Sequence, residues 1–522
     1  MNHDHARMPP GIPYIVANEF AERFCYYGLN AILSVYMVNV LRFGEAQATT
    51  WQSLFKSGAY FFPLLGAIVS DVLLGKYRTI LLFSLSYVGG CALLALGSTS
   101  PATLAAGLFF IALGTGGIKP CVSTNLGDQF TRANAHLIER AFSWFYLSIN
   151  AGSLISIAAC PWLLREHGPR LAFGLPGAMM SLAVLVFWLG RKRFAVLPPA
   201  GKPWLRELFC ADGLKLIGRL LLIYLFIAFF WSLWEQSNGQ TWTLQAQSDL
   251  MDKHLGFGLQ ILPAQIQIAN ALFILLLVPL FSYGVYPLWA RFAAVTPLRK
   301  IGAGMFVTAS SFVLVAWIEN RIQHGQVVSV WWQILAYAIL TASEVLVSIT
   351  ALEFSYKQAP LKIKSFIMAL FLLSQSLGNL FTGLVNDAMV RPLAVHDIRV
   401  GAQTWVALAE ISPFTLGQKL DFAGDTGIRV QTGNGAARPL AGTYLIAEID
   451  AAQQRLRVVD AIHRQDLMSQ GAYRASAKVS TYALVGPAYF LFFAGVMAVG
   501  ALLFIVVAMF YRERVYVREA AG

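Results

Sequence analysis

Apolar stretches of about twenty residues recur along the whole chain, separated by short polar segments. That is the length a helix needs to cross a hydrocarbon core of about 30 Å. The pattern predicts twelve spanning helices, at 13–42, 50–74, 79–98, 103–122, 141–164, 171–190, 216–244, 262–284, 300–318, 330–354, 365–388 and 483–511. The first, second, fourth, seventh and tenth carry charged residues inside the stretch. The opening segment MNHDHARMPPG runs directly into the first helix. It lacks the basic start and small-residue cleavage site of a signal peptide, so that helix is expected to stay.

Two segments interrupt the rhythm. Residues 191–215 form a linker that divides six helices from six. Residues 391–480 hold 10 Lys and Arg and 8 Asp and Glu, about 20% charged against about 11% elsewhere. There GTYLIAEID (442–450) and RLRVVDA (455–461) flank a polar AAQQ turn, which predicts a hairpin. The expected organisation is an N-terminal six-helix bundle (1–190), the linker (191–215), helices seven to eleven (216–390), a small water-exposed β-rich domain (391–480), and the twelfth helix with its tail (481–522). Composition gives the β-rich domain no role beyond a surface insertion.

Composition supports a membrane protein. Of 522 residues, 57% are hydrophobic and 13% charged, with mean hydropathy +0.59. A soluble domain carries roughly 25% charged residues. A multidomain soluble enzyme, a disordered chain and a disulfide scaffold are excluded. The formal charge is +12, from 39 Lys and Arg against 27 Asp and Glu. With the N-terminus inside, the inner segments hold 21 Lys and Arg and the short outer loops five. That asymmetry predicts both termini in the cytoplasm. The run Arg191-Lys192-Arg193 then reads as a topology signal, and no nucleic-acid partner is expected. Cys25, Cys91, Cys121, Cys160 and Cys210 show no metal or disulfide spacing and are expected to be buried thiols.

Charged groups inside spanning helices are costly and face a partner or a wet cavity. Here they are Glu19, Glu22, Arg23, Lys56, Lys119, Glu235 and Glu344. Glu19, Glu22 and Arg23 stand at i, i+3 and i+4 and share a helix face. Tyr26, Tyr27 and Asn30 extend it. Lys119 follows the small-residue run GTGGIKP (114–120), whose glycines permit close helix approach. Asn150 and Asn270 lie within apolar helices. Each polar group is open to a packing reading: an internal ion pair for the first helix, or an interhelical hydrogen bond for an amide. Four acids against three bases leave one negative charge if all share a cavity. Burial and a nearby like charge both favour the protonated carboxylate. One of these acids is therefore expected to bind a proton readily. Cations on one side and acids with amides on the other also suit a zwitterion.

Six blocks in order resemble the proton-dependent oligopeptide transporter family of the major facilitator superfamily. They are NEFAERFCYYG (18–28), GAIVSDVLLGKYRTI (66–80), GTGGIKPCVSTNLGDQF (114–130), FYLSINAGSL (145–154), FFWSLWEQSNGQTW (229–242) and ASEVLVSITALEFSYKQAP (342–360). The resemblance implies an all-α membrane fold of two six-helix bundles around a central site, working by alternating access. It implies proton-driven uptake of di- and tripeptides, with no cofactor beyond the proton gradient. It also implies a bacterial inner membrane and a functional monomer. By position, Arg23 and Lys119 would hold the peptide carboxylate, assisted by Asn150. Asn270 and Glu344 would bind the amino group. Tyr26, Tyr27, Asn30, Tyr60 and Phe371 would line the site, and Glu19, Glu22, Arg23 and Glu235 would carry proton coupling.

The chain departs from the family pattern in several places. Asn30 stands near the place where the family often has an Arg that pairs with the seventh-helix Glu, so Glu235 needs another partner, such as Lys119, or a proton. Ser53 replaces a second-helix His typical of animal members. Phe371 stands where a Trp is common. Lys56 has no counterpart in the pattern and either faces the cavity or reaches outward. The rival readings are a transporter of another solute, a transporter-like receptor, and a membrane-embedded enzyme. Against the last, all eight His lie in tails and loops, with no nucleophile–His pairing.

Overall fold

The computed structural model describes residues 7–97, 100–131, 134, 137–196, 198–199, 210–358, 364–409, 414–433, 435–474 and 477–511. Arg132, Lys202, Arg206, Lys362, Arg512, Arg514 and Arg518, counted above among the inner charges, lie outside them, as does part of the 191–215 linker. The described residues form twelve long helices: α1 (Ile12–Asn39), α2 (Glu45–Ile68), α3 (Lys76–Leu96), α4 (Pro101–Asp128), α5 (Ile138–His167), α6 (Pro169–Leu189), α7 (Ala211–Ser237), α8 (Ile268–Leu280), α9 (Pro297–Gln323), α10 (Val330–Glu344), α11 (Lys364–Ala388) and α12 (Pro487–Phe510). Among the described residues, eleven helical spans are long and apolar enough to cross a membrane. The other helix, α1, has 28 residues and carries Glu19, Glu22 and Arg23. The protein is a multi-pass membrane protein.

Several helices are not uniform. π-type turns extend α2 through Val69–Leu74, α8 through Phe281–Val285, and α10 through Val345–Ile349. The predicted seventh helix runs too far: α7 stops at Ser237. Gly239 takes a left-handed φ of 75°, which redirects the chain into a separate short helix, Thr241–Ala246.

Two hydrophobic cores sit side by side. One joins α1 to α6 through residues such as Tyr36, Tyr87, Ile111 and Phe173. The other joins α7 to α12 through Phe230, Phe312, Tyr337 and Phe493. Within the first, the GTGG run acts as packing surface. A Cβ on Gly66 of α2 would lie 2.6 Å from the Gly117 Cα of α4. Only hydrogen at both positions lets these backbones touch.

Between α11 and α12 stands the expected β domain, with strands β1 (Val390–Leu393), β2 (Val395–Arg399), β3 (Thr404–Leu408), β4 (Lys419–Ala423), β5 (Ile428–Gln431), β6 (Arg438–Pro439), β7 (Gly442–Asp450), β8 (Arg455–Asp460), β9 (Met468–Gly471) and β10 (Lys478–Tyr482). Seven form one antiparallel sheet in the order β1-β10-β4-β7-β8-β3-β2, and β6-β5-β9 form a second. The predicted hairpin is β7 with β8, pairing from Tyr444 opposite Asp460 to Asp450 opposite Arg455, with the register shifted by a bulge between Ile446 and Glu448. Alternate residues Leu420, Phe422, Leu456 and Val458 point into a separate apolar core.

The bundles meet on the β-domain side of the membrane. Ser34 donates to the Gly239 carbonyl (2.6 Å), Gln240 to Ser53 (3.3 Å), Thr50 to the Gly383 carbonyl (3.5 Å) and Gln265 to the Ala158 carbonyl (2.8 Å). These bonds seal that end. The cysteine expectation needs one correction. Cys25, Cys91, Cys121 and Cys160 are buried, but Cys210 is exposed, its Sγ accepting from the Gly213 N–H as α7 begins.

Candidate functional site

The helical repeat sets the first cluster. Arg23 Nε lies 2.7 Å from Glu19 Oε1 and 2.8 Å from Glu22 Oε2. The other Glu22 oxygen accepts from Thr115 Oγ1 of α4 at 2.8 Å. One guanidinium thus serves two carboxylates. Lys119, one helical turn beyond Thr115, forms no ion pair among the described residues. Its Nζ lies 4.1 Å from the Tyr26 ring centre and 4.0 Å from that of Tyr60. The ammonium is buried with no hydrogen-bond acceptor. Two ring faces attract it, yet all three of its donors remain open.

The second cluster crosses the seam. Lys56 Nζ lies 2.7 Å from Glu235 Oε2 and donates to the Glu235 carbonyl (3.1 Å) and the Asn238 carbonyl (2.7 Å). All three of its donors are used. Gln375 donates to Glu235 Oε1 at 2.7 Å. Two open alternatives are decided here: Lys56 turns inward, and the partner of Glu235 is Lys56 and not Lys119. Asn30 is also engaged: its amide donates to the Asn238 carbonyl (3.3 Å), and its oxygen accepts from Gln52 (2.9 Å). In this state it closes the seam.

The third cluster belongs to the C-terminal bundle. Asn270 donates to Glu344 Oε2 (2.8 Å) and to Thr341 Oγ1 (3.0 Å), and Trp234 Nε1 donates to the same Glu344 oxygen (3.0 Å). Among the described residues, no Lys or Arg pairs with Glu344. Its charge is met by neutral donors alone.

A cavity of about 220 Å³ lies between the bundles, walled by Tyr27, Asn150, Trp234, Asn270, Tyr337 and Glu344 among others. Asn150 spends its amide N–H on the Tyr146 carbonyl of its own helix (2.8 Å). Arg23, Lys119 and Tyr60 are not in this wall. Tyr26, beside the Lys119 ammonium, packs edge to face at 5.5 Å against Tyr27, which lines the cavity. Phe371 is buried against Tyr224 and Trp231 and does not line it.

Charge bookkeeping follows from the geometry. Glu19 and Glu22 offset Arg23 and Lys119, and Lys56 offsets Glu235. The excess negative charge is Glu344. Sequence reasoning missed Thr115, Trp234 and Gln375 as members of the site. Thr115 lies inside the glycine run and Trp234 beside Glu235, but neither is ionisable, so nothing in residue type marked them.

Comparison with known proteins agrees with this arrangement. A family model described as the POT family matches residues 77–211 and 209–406. The chain is similar to Peptide transporter family 1 of Drosophila melanogaster, 37% identical over 363 residues, covering 61% of this chain and 48% of that protein. It is similar to human Solute carrier family 15 member 1, 34% identical over 381 residues, covering 62% and 53%. The chain spans about half the length of the curated relatives it matches. Among solved structures, it is similar to the POT family transporter PepTSo, with TM-score 0.72 and 28% identity, covering 96% of this chain and 98% of that one. It is also similar to a proton dependent oligopeptide (POT) family transporter, with TM-score 0.62 and 37% identity, covering 72% and 91%. The paired bundles, the shared blocks and the family match over most of the membrane part lead to one assignment: the chain belongs to the POT family.

Proposed function

We propose that this protein is a proton-coupled importer of di- and tripeptides that works by alternating access. One observation carries the reading: among the described residues two groups of opposite sign in the polar interior have no ion-pair partner, the Lys119 ammonium and the Glu344 carboxylate. A zwitterion supplies the complement of both. The substrate carboxylate would go to Lys119 and Arg23, with Asn150 assisting, and the substrate ammonium to Glu344 and Asn270. Tyr26, Tyr27 and Tyr60 would form the walls.

Proton coupling follows from competition for Arg23. Its guanidinium is shared between Glu19 and Glu22. A proton on either carboxylate weakens its hold and leaves Arg23 free for the substrate carboxylate, and substrate departure restores the ion pair. The driving force is the proton gradient, no cofactor takes part, and no covalent chemistry is assigned to the chain. The inner-loop excess of Lys and Arg supports cytoplasmic termini in a bacterial inner membrane. A single chain contains both poles, which supports a functional monomer.

The test is uptake of labelled dialanine into proteoliposomes under an inward proton gradient. Accumulation abolished by a protonophore supports the proposal. No uptake at any pH, with uptake of a different solute, refutes it.

A further inference from the structure

The β domain takes no part in the site just described, yet it grips both bundles. On the C-terminal bundle, the Ala483 N–H donates to the Met389 carbonyl (2.8 Å) and the Asp249 N–H to the Ile462 carbonyl (3.2 Å). Arg464 donates to the Ile322 carbonyl, and His463 lies 2.7 Å from Asp249. Since α11 and α12 enter and leave the domain, these contacts travel with that bundle.

Its contact with the N-terminal bundle is of another kind. A helix leaves its first N–H groups without partners, and α2 begins at Gly44 with no side chain of its own to cap it. The β domain supplies the caps. The Glu45 N–H donates to Thr443 Oγ1 (3.0 Å), and the Ala46 N–H to the Tyr482 hydroxyl (3.4 Å). Both hydroxyls in turn donate to Asp421, Thr443 to Oδ1 at 2.6 Å and Tyr482 to Oδ2. A carboxylate thus sits behind two hydroxyls at the positive end of a helix dipole. Beside it, Lys419 pairs with the Glu45 side chain at 2.6 Å. A Cβ on Gly44 would collide with the Asp421 carboxylate, so glycine permits this approach.

We propose that the β domain is a clamp on the sealed side, held by α11 and α12, which caps α2 and must release it before that side opens. The inference rests on the alternating-access reading above. When the bundles separate on the β-domain side, α2 leaves α11. The domain stays with α11, so the Thr443, Tyr482 and Lys419 contacts must break together.

The test is labelling by a membrane-impermeant maleimide, using the full chain in proteoliposomes with the exposed Cys210 replaced by Ser. The reporter is Ser53→Cys, fully buried in the seam. Thr443→Val with Tyr482→Phe removes both caps and keeps side-chain shape. It should raise the labelling rate at least about fivefold, the scale a lost helix cap sets. Lys419→Glu should raise it as well, and Glu45→Lys with Lys419→Glu should return it to the parent rate. Unchanged labelling in both opening variants, or no recovery in the charge swap, overturns the clamp. If the cap variant fails to fold, the charge-swap pair decides. Dialanine uptake by the parent is scored separately. A labelling response without uptake refutes the peptide reading and leaves the clamp standing, whereas uptake without a labelling response refutes the clamp alone.

Discussion

Lys56 and Glu235 lie on opposite bundles, are both closed to solvent, and bring their charges within 2.7 Å of each other. Removing one partner of a buried pair strands the other, at a cost of about 3–5 kcal/mol, while replacing both is far milder. Lys56→Met should therefore lower the melting temperature in detergent markedly. Lys56→Met with Glu235→Gln should melt closer to wild type than either single variant. A Lys56→Met protein as stable as wild type would show that this pair does not hold the seam.

Lys119 carries a buried charge with three open donors. A charge-assisted hydrogen bond is worth about 1.5–3 kcal/mol, or roughly ten- to hundredfold in affinity. Wild type should prefer dialanine over dialanine amide by about that factor. Lys119→Ala should lose proton-driven uptake and bind the two peptides with equal, weak affinity. Retained discrimination in a binding assay would move the carboxylate to Arg23 alone.

Glu344 stands at the opposite pole, its charge met only by Asn270 and Trp234. Glu344→Gln should weaken dialanine binding by about tenfold or more. Its effect on N-acetyl-dialanine, which has no ammonium, should be slight. Equal loss for both peptides would mark Glu344 as a structural residue.

Much of this was readable in advance because membrane and helix physics act locally. Twelve apolar stretches and the β7–β8 hairpin follow from periodicity and turn residues, and Glu19, Glu22 and Arg23 converge because i, i+3 and i+4 share a face. The Lys56–Glu235 pair was not readable. It joins residues 179 positions apart across an interface between bundles, and no local period reports such a contact. The same holds for Asn30, which ties to Gln52 and Asn238. The end of α7 was missed because residues 238–244 remain compatible with a helix, and only the left-handed Gly239 breaks it. The role of the β domain was hidden for a further reason. Its caps on α2 are given to backbone N–H groups, which every residue except proline carries.

Glu22 touches both Arg23 and Thr115, whereas Glu19 contacts Arg23 from the same helix. If Glu22 exchanges the coupling proton, Glu22→Gln mimics its protonated form and leaves Arg23 free. Proton-driven accumulation should then fall strongly, while exchange of labelled for unlabelled peptide persists. Equal loss of both activities would remove Glu22 from the proton path.

The clamp should also respond to pH. Burial, the largest cause, lifts the Asp421 carboxyl from its ordinary 3.8 to about 6, with Glu45 adding to the rise; Thr443, Tyr482 and Lys419 oppose it. Released from α2 and rehydrated, Asp421 should return toward its ordinary value. The clamped state then binds more protons than the released state between that value and about 6. By linkage, acid favours clamping, and this contribution is lost as pH rises through about 6. Labelling of Ser53→Cys should therefore be slower at acidic than at neutral pH. The comparison is with an Asp421→Asn background at each pH, which cancels the titration of the thiol itself. The Asn side chain mimics the protonated acid, so that background should stay clamped throughout. A ratio of the two rates that rises toward acid would reverse the sign of the coupling and sink this account of Asp421.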